Sequence, residues 1–303
     1  MKLVARRSVI TALVIGVITL MAISGVVLAF LYSSNDGAGV RGFGDRIAIL
    51  ELNGTISSDA AFLRDLQNFR DDGSVKGFIV SINSPGGVVA PSQSIFAELK
   101  RLHDDSIPLY AVIGGVGASG GYYVALAADS IFAMPGSITG SIGVIMEFPD
   151  ASGLMQKVGV QMQTVKSAEH KDIGSPFKPL SEEDRAILQT LITDVYNQFV
   201  TAVATERKLS VDSVKVLADG RILTGSQALH SGLIDSFGNE PDVIRAMGRR
   251  TKLGDDPKVV RPHREKNGFL GTLLGRTTAS AVARAVQPLS EMAGPRLMYL
   301  TPW

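Results

Sequence analysis

A serine set among glycines is the residue of this sequence best placed for covalent chemistry. Ser119 lies in GASGG (117–121), between the apolar run PLYAVIGGV (108–116) and the helix-like segment YYVALAA (122–128). A serine at the start of a helix is close to free backbone N–H groups and to a partial positive charge of about half a unit. The N–H that follows can stabilise an oxyanion, which suits a nucleophile. The same small residues would also let a helix pack closely against a sheet, so the motif alone leaves both interpretations open.

A second glycine-rich turn, SPGG (84–87), also follows a predicted strand. If both strands belong to one parallel sheet, both turns lie at the same edge of that sheet. Gly86 or Gly87 could then supply a second N–H group to an oxyanion. The alternative is an ordinary turn that ends a strand.

A serine nucleophile needs a base, and SAEHKDIGSPF (167–177) offers His170 and Lys171 side by side. A lysine acts as a base only where burial or nearby groups lower its pKa toward neutrality, and it then needs a partner that orients it. Thr139 or Ser141, in ITGSIGV, could provide that partner. An isolated lysine is usually a solvated surface charge, so this assignment depends on the rest of the pattern.

The elements that must position these residues alternate between strands and helices. Strands are predicted at 46–54, 75–83, 107–115 and 160–167, with short strands over 130–145. Helices are predicted at 57–72, 91–103, 181–207, 210–218 and 224–231. Ser181 and Asp184 are expected to cap the longest helix as a pair. The order βαβαβα predicts an α/β fold with stacked right-handed crossovers.

Composition excludes several classes of chemistry. The 303 residues are 45% hydrophobic and 19% charged, which suits a globular protein with a sizeable core. There is no cysteine, so disulfides, thiol catalysis and thiolate metal sites are excluded. The four histidines lack a metal-ligand spacing such as H-E-x-x-H, and a net charge of +1 creates no field that favours nucleic acid. We therefore expect no thiolate or H-E-x-x-H metal site and no nucleic-acid partner.

The N-terminus predicts a membrane anchor. Residues 8–32 are uncharged and mostly apolar, and at about 1.5 Å per residue such a helix crosses a ~30 Å hydrocarbon core. The basic flank with Lys2, Arg6 and Arg7 is expected to stay in the cytoplasm, which places the rest of the chain outside it. The alternative is a signal peptide cleaved after a small residue such as Ala29, although its apolar region is normally shorter.

Beyond the basic flank and anchor, three further segments are predicted. A linker covers 33–45, an α/β domain covers 46–251, and a linker with a C-terminal helix and tail covers 252–303. Within the last, the polar segment 254–268 contains Pro and Gly and reads as a linker or exposed loop. The final GPRLMYLTPW (294–303) is apolar. We expect it to pack between subunits, to enter a neighbouring substrate groove, or to pack as a terminal helix on its own domain.

Five motifs together resemble the signal peptide peptidase A family in its short bacterial form, over about residues 46–247: SINSPGG, GASGGYYVALAAD, PGSITGSIGVIME, SAEHKDIGSPF and ADGRILTGSQALHSGLID. Each motif is weak alone, but their order and spacing are specific. The resemblance implies a Clp/crotonase-like fold of stacked ββα units and a membrane-bound Ser/Lys peptidase without a cofactor. It implies released signal peptides as substrates and a catalytic domain on the periplasmic side of the inner membrane. It also implies a dome-like homo-oligomer, an octamer, with active sites that face an inner cavity.

The resemblance also implies a role for each matching residue. Ser119 corresponds to the nucleophile and Lys171, 52 residues later, to the general base. Ser141 corresponds to the residue that hydrogen-bonds and positions that lysine, and the N–H groups of Gly87 and Gly120 to the oxyanion hole. The chain holds one copy of the unit that the family's long form duplicates. Nucleophile and base must therefore meet either within one fold or across a subunit boundary.

Three other functions remain open at this point. GASGG also matches G-x-S-x-G, the nucleophile elbow of α/β-hydrolases, whose triad would need an acid and then His230 or His263. A crotonase-like acyl-CoA enzyme would share the implied fold, but CoA is scarce outside the cytoplasm. A non-catalytic membrane-anchored scaffold would be expected to have lost Ser119 or Lys171, and both are present.

Overall fold

The computed structural model describes residues 19–21, 23–25, 44–262 and 298–300. The chain divides into two units, residues 1–44 and 45–303. In the first unit, residues 19–21 and 23–25 are helical, and the remainder of the anchor predicted at 8–32 lies outside the described residues. None of the described helices is both long and apolar enough to cross a membrane.

The second unit is a mixed α/β structure with a mostly parallel sheet. Its strands are β1 (Arg46–Asn53), β2 (Val75–Ser84), β3 (Gly86–Val88), β4 (Leu109–Gly117), β5 (Ser130–Ala133), β6 (Ile138–Gly140), β7 (Ile222–Thr224), β8 (Ser236–Phe237), β9 (Val259–Val260) and β10 (Met298–Leu300). Its helices are α1 (Ala60–Arg70), α2 (Val89–Asp104), α3 (Gly120–Ala125), α4 (Ser152–Lys157), α5 (Glu182–Arg207), α6 (Val211–Leu217), α7 (Gly225–His230) and α8 (Glu240–Arg250), with a 3₁₀ helix at Glu169–Asp172.

The strands of the main sheet follow the order β7-β6-β4-β2-β1-β9, with β5 beside β4 and β8 beside β5. β1, β2 and β4 run parallel, with Ile49 opposite Ile79 and Val80 opposite Ala111. Their apolar runs are continuous because both faces of the sheet are covered. Since the strands are parallel, Asn53, Ser84 and Gly117 reach the same edge, where open α/β sheets bind ligands.

Helices cover both faces of this sheet. On one face, α2, α3 and α5 bury Leu99, Tyr122 and Phe199 in the main core. On the other face, α8 buries Val243 and Met247 against a smaller cluster that includes Ile47, Ile49 and Ile79. Helices thus pack on both faces of the central strands. The turns at the carboxyl ends of these strands extend from a rigid scaffold.

Several predicted elements are confirmed within one to three residues, and two predictions are wrong. The helix predicted at 181–207 is α5, and Ser181 Oγ accepts a hydrogen bond from the Asp184 N–H at 3.0 Å. The strand predicted at 160–167 is wrong, because this segment is exposed and pairs with no strand of the described chain. Part of the loop predicted at 254–268 is instead β9, which adds in parallel to β1 at the sheet edge. Its remainder from 263 onward lies outside the described residues.

Candidate active site

Ser119 occupies a strained turn between β4 and α3. It is the residue before the first turn of α3, with φ 53° and ψ −118°, a backbone conformation that non-glycine residues rarely adopt. Its N–H donates to the Gly140 carbonyl at 2.8 Å, and its own carbonyl accepts from the Tyr123 N–H at 2.8 Å. These bonds hold the strained conformation in place. Such strain is concentrated at functional sites because the surrounding structure must enforce it.

The hydroxyl group of Ser119 is buried and unpaired. The residue is 1% exposed, and its Oγ has no hydrogen-bond partner within the described chain. Buried polar side chains nearly always have a partner, and an exception calls for an explanation such as a chemical role. The hydroxyl of Ser119 is such an exception among the described residues.

The glycine turns at the ends of β2 and β4 lie against each other. A Cβ on Gly120 would stand 3.2 Å from the Gly87 nitrogen and 2.7 Å from Ser92 Oγ. A Cβ on Gly86, whose φ is 105°, would stand 2.7 Å from the Gly120 nitrogen. The N–H of Gly120 belongs to the first residue of α3, so it has no partner in its own helix. The structure therefore brings Gly87 and Gly120 together beside Ser119, although their oxyanion roles remain predictions.

Two buried serines, which the sequence analysis did not single out, support these turns. Ser84 Oγ accepts from the Gly86 N–H at 3.1 Å, and the Ser84 carbonyl accepts from the Ala118 N–H at 3.1 Å. Ser92 Oγ donates to the Val88 carbonyl at 2.9 Å and lies against Gly120. Their signal in the sequence is weak, since a serine after a strand or inside a helix is common.

A groove beside Ser119 is filled by an extended segment of the same chain. β10 runs antiparallel to β3, with Tyr299 opposite Gly87 and Met298 opposite Val88. On its other side, Met298 exchanges two backbone hydrogen bonds with Ile145, at 3.1 and 3.2 Å. A Cβ on Gly86 would stand 2.1 Å from the Tyr299 carbonyl oxygen, on the side of Gly86 that also faces the Gly120 nitrogen. An extended peptide is therefore paired on both edges next to the serine.

The side chain of Tyr299 fills an aromatic pocket beneath the groove. It is fully buried, stacks on Tyr123 at 5.3 Å and lies 4.7 Å from Phe199 between ring centroids. Phe96 packs edge-on against Tyr123 at 5.1 Å. Burial raises the pKa of Tyr299 above its usual value. The pocket suits a large apolar side chain.

Of the two residues considered as partners for the lysine, only Ser141 has a free hydroxyl. Thr139 Oγ1 already donates to the Gly117 carbonyl at 2.7 Å. Ser141 is buried with a φ of 51°, and its N–H donates to the Arg221 carbonyl at 2.8 Å. The hydroxyl group of Ser141 makes no hydrogen bond within the described residues. Gly140, between the two, accepts from Ser119, so this turn is tied directly to the nucleophile candidate.

Lys171 lies apart from Ser119 in the single chain. It is exposed on the 3₁₀ helix, and the described residues offer its ammonium group neither a hydrogen bond nor an ion pair. The serine hydroxyl is equally unpaired. The chain thus holds both members of the predicted pair but does not bring them into hydrogen-bond contact.

Charged side chains on both sides of Lys171 are tied into a network. His170 Nδ1 lies 3.0 Å from Asp184 Oδ1, and Lys178 Nζ donates to Asp184 at 3.3 Å and to Asp172 at 2.8 Å. Lys166 Nζ also donates to Asp172 at 2.8 Å. The two lysines hold the pKa of Asp172 at about 2. The hydrogen bond between His170 and Asp184 raises the pKa of His170 and lowers that of Asp184.

Histidine does not replace the lysine among the described residues. His103 contacts Asp129 and the Ala127 carbonyl, and His170 contacts Asp184. His230 is exposed at the end of α7, and Ser119 Oγ has no partner. The Ser-Asp-His alternative therefore has no base in this part of the chain, while His263 lies outside the described residues.

Comparison with known proteins identifies the family. Residues 101–254 match the model of peptidase family S49. A relative named as a signal peptide peptidase SppA, from Enterococcus faecium, is 36% identical over 248 residues, which cover 78% of this chain and 72% of that protein. The chain belongs to peptidase family S49. Its resemblance to the signal peptide peptidase A family is thereby confirmed.

Two further relatives agree on the reaction class. Protease 4 of Haemophilus influenzae is 36% identical over 257 residues, 80% of this chain but only 42% of its own length. The chloroplastic serine protease SPPA of Arabidopsis thaliana is 29% identical over 236 residues, 73% of this chain and 35% of its own length. The chain is a serine peptidase, and the S49 match covers Ser119, Ser141 and Lys171.

Proposed function

We propose that this S49 peptidase is an endopeptidase with a Ser/Lys dyad, in which Ser119 is the nucleophile and Lys171 the general base. The observation that carries the proposal is the buried, unpaired hydroxyl of Ser119, held in a strained turn beside a groove that accepts extended chain. A reactive serine needs an approaching base, an oxyanion site and room for a peptide. We assign the role of the base to Lys171 and that of the oxyanion site to the N–H groups of Gly87 and Gly120.

The mechanism follows from these assignments. Neutral Lys171, oriented by Ser141, accepts the proton of Ser119 while Oγ attacks the peptide carbonyl. The oxyanion of the tetrahedral intermediate accepts hydrogen bonds from the Gly87 and Gly120 N–H groups. The Lys171 ammonium then gives its proton to the leaving amine. Water deprotonated by Lys171 attacks the ester, and the proton returns to Ser119 as the acyl group leaves.

The substrate binds as an added strand. Met298–Leu300 pairs with β3 and Ile145 as a bound peptide would, and main-chain pairing of this kind accepts many sequences. The pocket around Tyr123 and Phe199 would select a large apolar side chain. Such a site suits the apolar segments of signal peptides. The E. faecium relative, by its printed name, is a signal peptide peptidase.

The active site assembles between copies of the chain in a Clp/crotonase-like homo-oligomer, an octamer by family resemblance. Lys171 is exposed and has no hydrogen-bond or ion-pair partner among the described residues, so a neighbouring copy can receive it. Earlier in the sequence, the chain exposes large apolar side chains at Leu154, Val158, Val160, Met162 and Val165. Apolar surface of this extent is typical of an interaction face. Such a face would account for the strand-like pattern of 160–167, a segment that pairs with no strand among the described residues.

Complementation between two inactive variants tests the dyad and its assembly together. Ser119→Ala and Lys171→Ala should each abolish peptide hydrolysis. When the two are co-expressed, a base from one copy and a serine from its neighbour form about a quarter of the possible sites, because a head-to-tail interface combines copies at random. Activity should therefore return to about a quarter of the wild-type value. No recovery in mixed oligomers of normal mass would contradict a shared site, and full activity of Lys171→Ala would contradict the dyad.

We further propose that residues 8–32 anchor the enzyme in the inner membrane, with the catalytic domain on the periplasmic side. Signal peptides left in the bilayer would then meet the groove at the membrane surface. Removal of residues 8–32 should release the protein from the membrane fraction and slow the turnover of a bilayer-embedded signal peptide, while hydrolysis of a short soluble peptide continues. Retention of the shortened protein in the membrane, with unchanged turnover of both substrates, would contradict the anchor.

A further inference from the structure

We infer that a clamp of five charged side chains, Lys166, His170, Asp172, Lys178 and Asp184, positions Lys171 for reaction with Ser119. The inference rests on the proposed function, in which Lys171 is the general base. It adds positioning residues for that base, which neither the motifs nor the family match assign.

The 3₁₀ helix explains how the clamp can hold Lys171 without touching it. With three residues per turn, His170, Lys171 and Asp172 point in three different directions. His170 is fixed by Asp184 at 3.0 Å, and Asp172 by Lys178 at 2.8 Å. The two neighbours of Lys171 in the sequence are therefore fixed by hydrogen bonds on two sides of the turn. The Lys171 side chain extends from the third side.

Asp184 links this turn to α5, the longest helix among the described residues. Its side chain is only 5% exposed, and it accepts from both His170 and Lys178. Its backbone N–H is capped by Ser181 at 3.0 Å, at the start of the 26-residue helix α5. A base carried on a short irregular segment would otherwise move freely. Through its buried carboxylate, Asp184 connects the turn that carries Lys171 to the ordered helix α5. Fixed placement of the base matters because the rate of such a reaction falls steeply when a reacting group is displaced by a small distance.

The clamp also balances charge around the base. The acidic groups on the 3₁₀ helix are Glu169 and Asp172, and those that α5 directs toward it are Glu183 and Asp184, with Glu183 3.5 Å from His170. The groups that offset them are the ammonium groups of Lys166 and Lys178, together with His170, whose pKa is raised by its hydrogen bond to Asp184. Uncompensated carboxylates beside a lysine favour its protonated form, which cannot accept a proton from serine. The clamp therefore serves both the placement and the availability of the base.

Steady-state kinetics of full-length variants across pH test the clamp. Asp184→Asn should lower kcat about tenfold to a hundredfold through misplacement of the base, with KM changed by less than about twofold. Lys178→Met should lower kcat and move the midpoint of the acid limb of activity upward, and Asp172→Asn should move it downward. A single charge that acts through solvent changes such a midpoint by roughly a few tenths of a pH unit. Lys178→Arg, which keeps the positive charge, should restore most of the kcat that is lost in Lys178→Met.

The control variant is Asp194→Asn. Asp194 is an exposed carboxylate on α5 that contacts Gln198, and its substitution should leave kcat and KM unchanged.

Three outcomes would overturn the inference. The first is wild-type kcat in Asp184→Asn and Lys178→Met. The second is a midpoint shift of the same sign in Lys178→Met and Asp172→Asn. The third is a loss of kcat that is explained by a lower thermal unfolding midpoint and that Lys178→Arg does not reverse. Lys171→Ala separates this inference from the proposed function. If it is inactive while the clamp variants behave as wild type, the clamp alone is refuted; if it stays active, the dyad and the clamp are both refuted.

Discussion

Tyr299 stacks on Tyr123, one helical turn after Ser119, with ring centroids 5.3 Å apart and planes inclined by 18°. The C-terminal strand thus reaches into the main core immediately beside the candidate nucleophile. Its backbone takes the position along β3 that an extended peptide would need. A segment of the chain itself therefore occupies the groove, and under the proposed function a substrate would have to displace it.

A weaker interaction between β10 and the aromatic pocket should accelerate peptide hydrolysis. Tyr299→Ala empties the aromatic pocket, so β10 competes less well with substrate, and kcat/KM for a short soluble peptide should rise several-fold, about the effect of 1 kcal/mol. Tyr299→Phe, which keeps the ring, is the matched control and should change kcat/KM little. An unchanged or lower kcat/KM in Tyr299→Ala, at an unchanged oligomer mass, would contradict competition by the tail.

A methyl group at Gly120 should disable the oxyanion site. In Gly120→Ala the added Cβ would stand 2.7 Å from Ser92 Oγ and 3.2 Å from the Gly87 nitrogen, so the two turns must separate. Loss of one oxyanion donor costs about 10²–10³ in kcat, and we expect a loss of that order. Gly136→Ala is the control, because its Cβ would meet no atom within 4 Å. Equal activities of the two variants would show that Gly120 has no special role.

Acid should weaken the fold through Asp172. Lys166 and Lys178 hold its pKa at about 2, below the ordinary value near 4. A carboxylate with a lowered pKa stabilises the folded state at pH values above its ordinary pKa, and this contribution is lost as the pH falls through the folded value. The free energy of unfolding, measured with urea, should therefore decline between about pH 4 and pH 2. Asp172→Asn should reduce this decline, and an identical pH dependence in both proteins would contradict the assignment.

Much of the backbone of the site could be predicted from the sequence because its signals are local. Apolar runs that end in glycine turns specify β2 and β4, and a parallel sheet must bring such ends to one edge. The strained conformation of Ser119 itself was not predicted, because the sequence indicates unusual backbone angles only at the glycines around it. The alternation of apolar and polar residues at 160–167 resembles that of a half-buried strand, but Val160, Met162 and Val165 are all exposed, so this pattern gave a wrong prediction.

The occupant of the groove and the role of Asp184 could not be predicted in the same way. β10 pairs with β3 across more than 200 residues, and three residues carry no periodicity that would reveal a partner. Asp184 stands three residues after Ser181, which is the pattern of a helix cap. The cap is present, but the carboxylate itself turns to His170 and Lys178. Only the tertiary structure distinguishes these uses.

The most direct test of the dyad is the reaction of the assembled, full-length protein with a fluorophosphonate, followed by peptide mass mapping. We predict one adduct, on Ser119, absent in Ser119→Ala. In Lys171→Ala it should form at least about a hundredfold more slowly, since an unactivated serine is a poor nucleophile. An adduct on a different serine, or an equal rate of labelling in Lys171→Ala, would contradict the account.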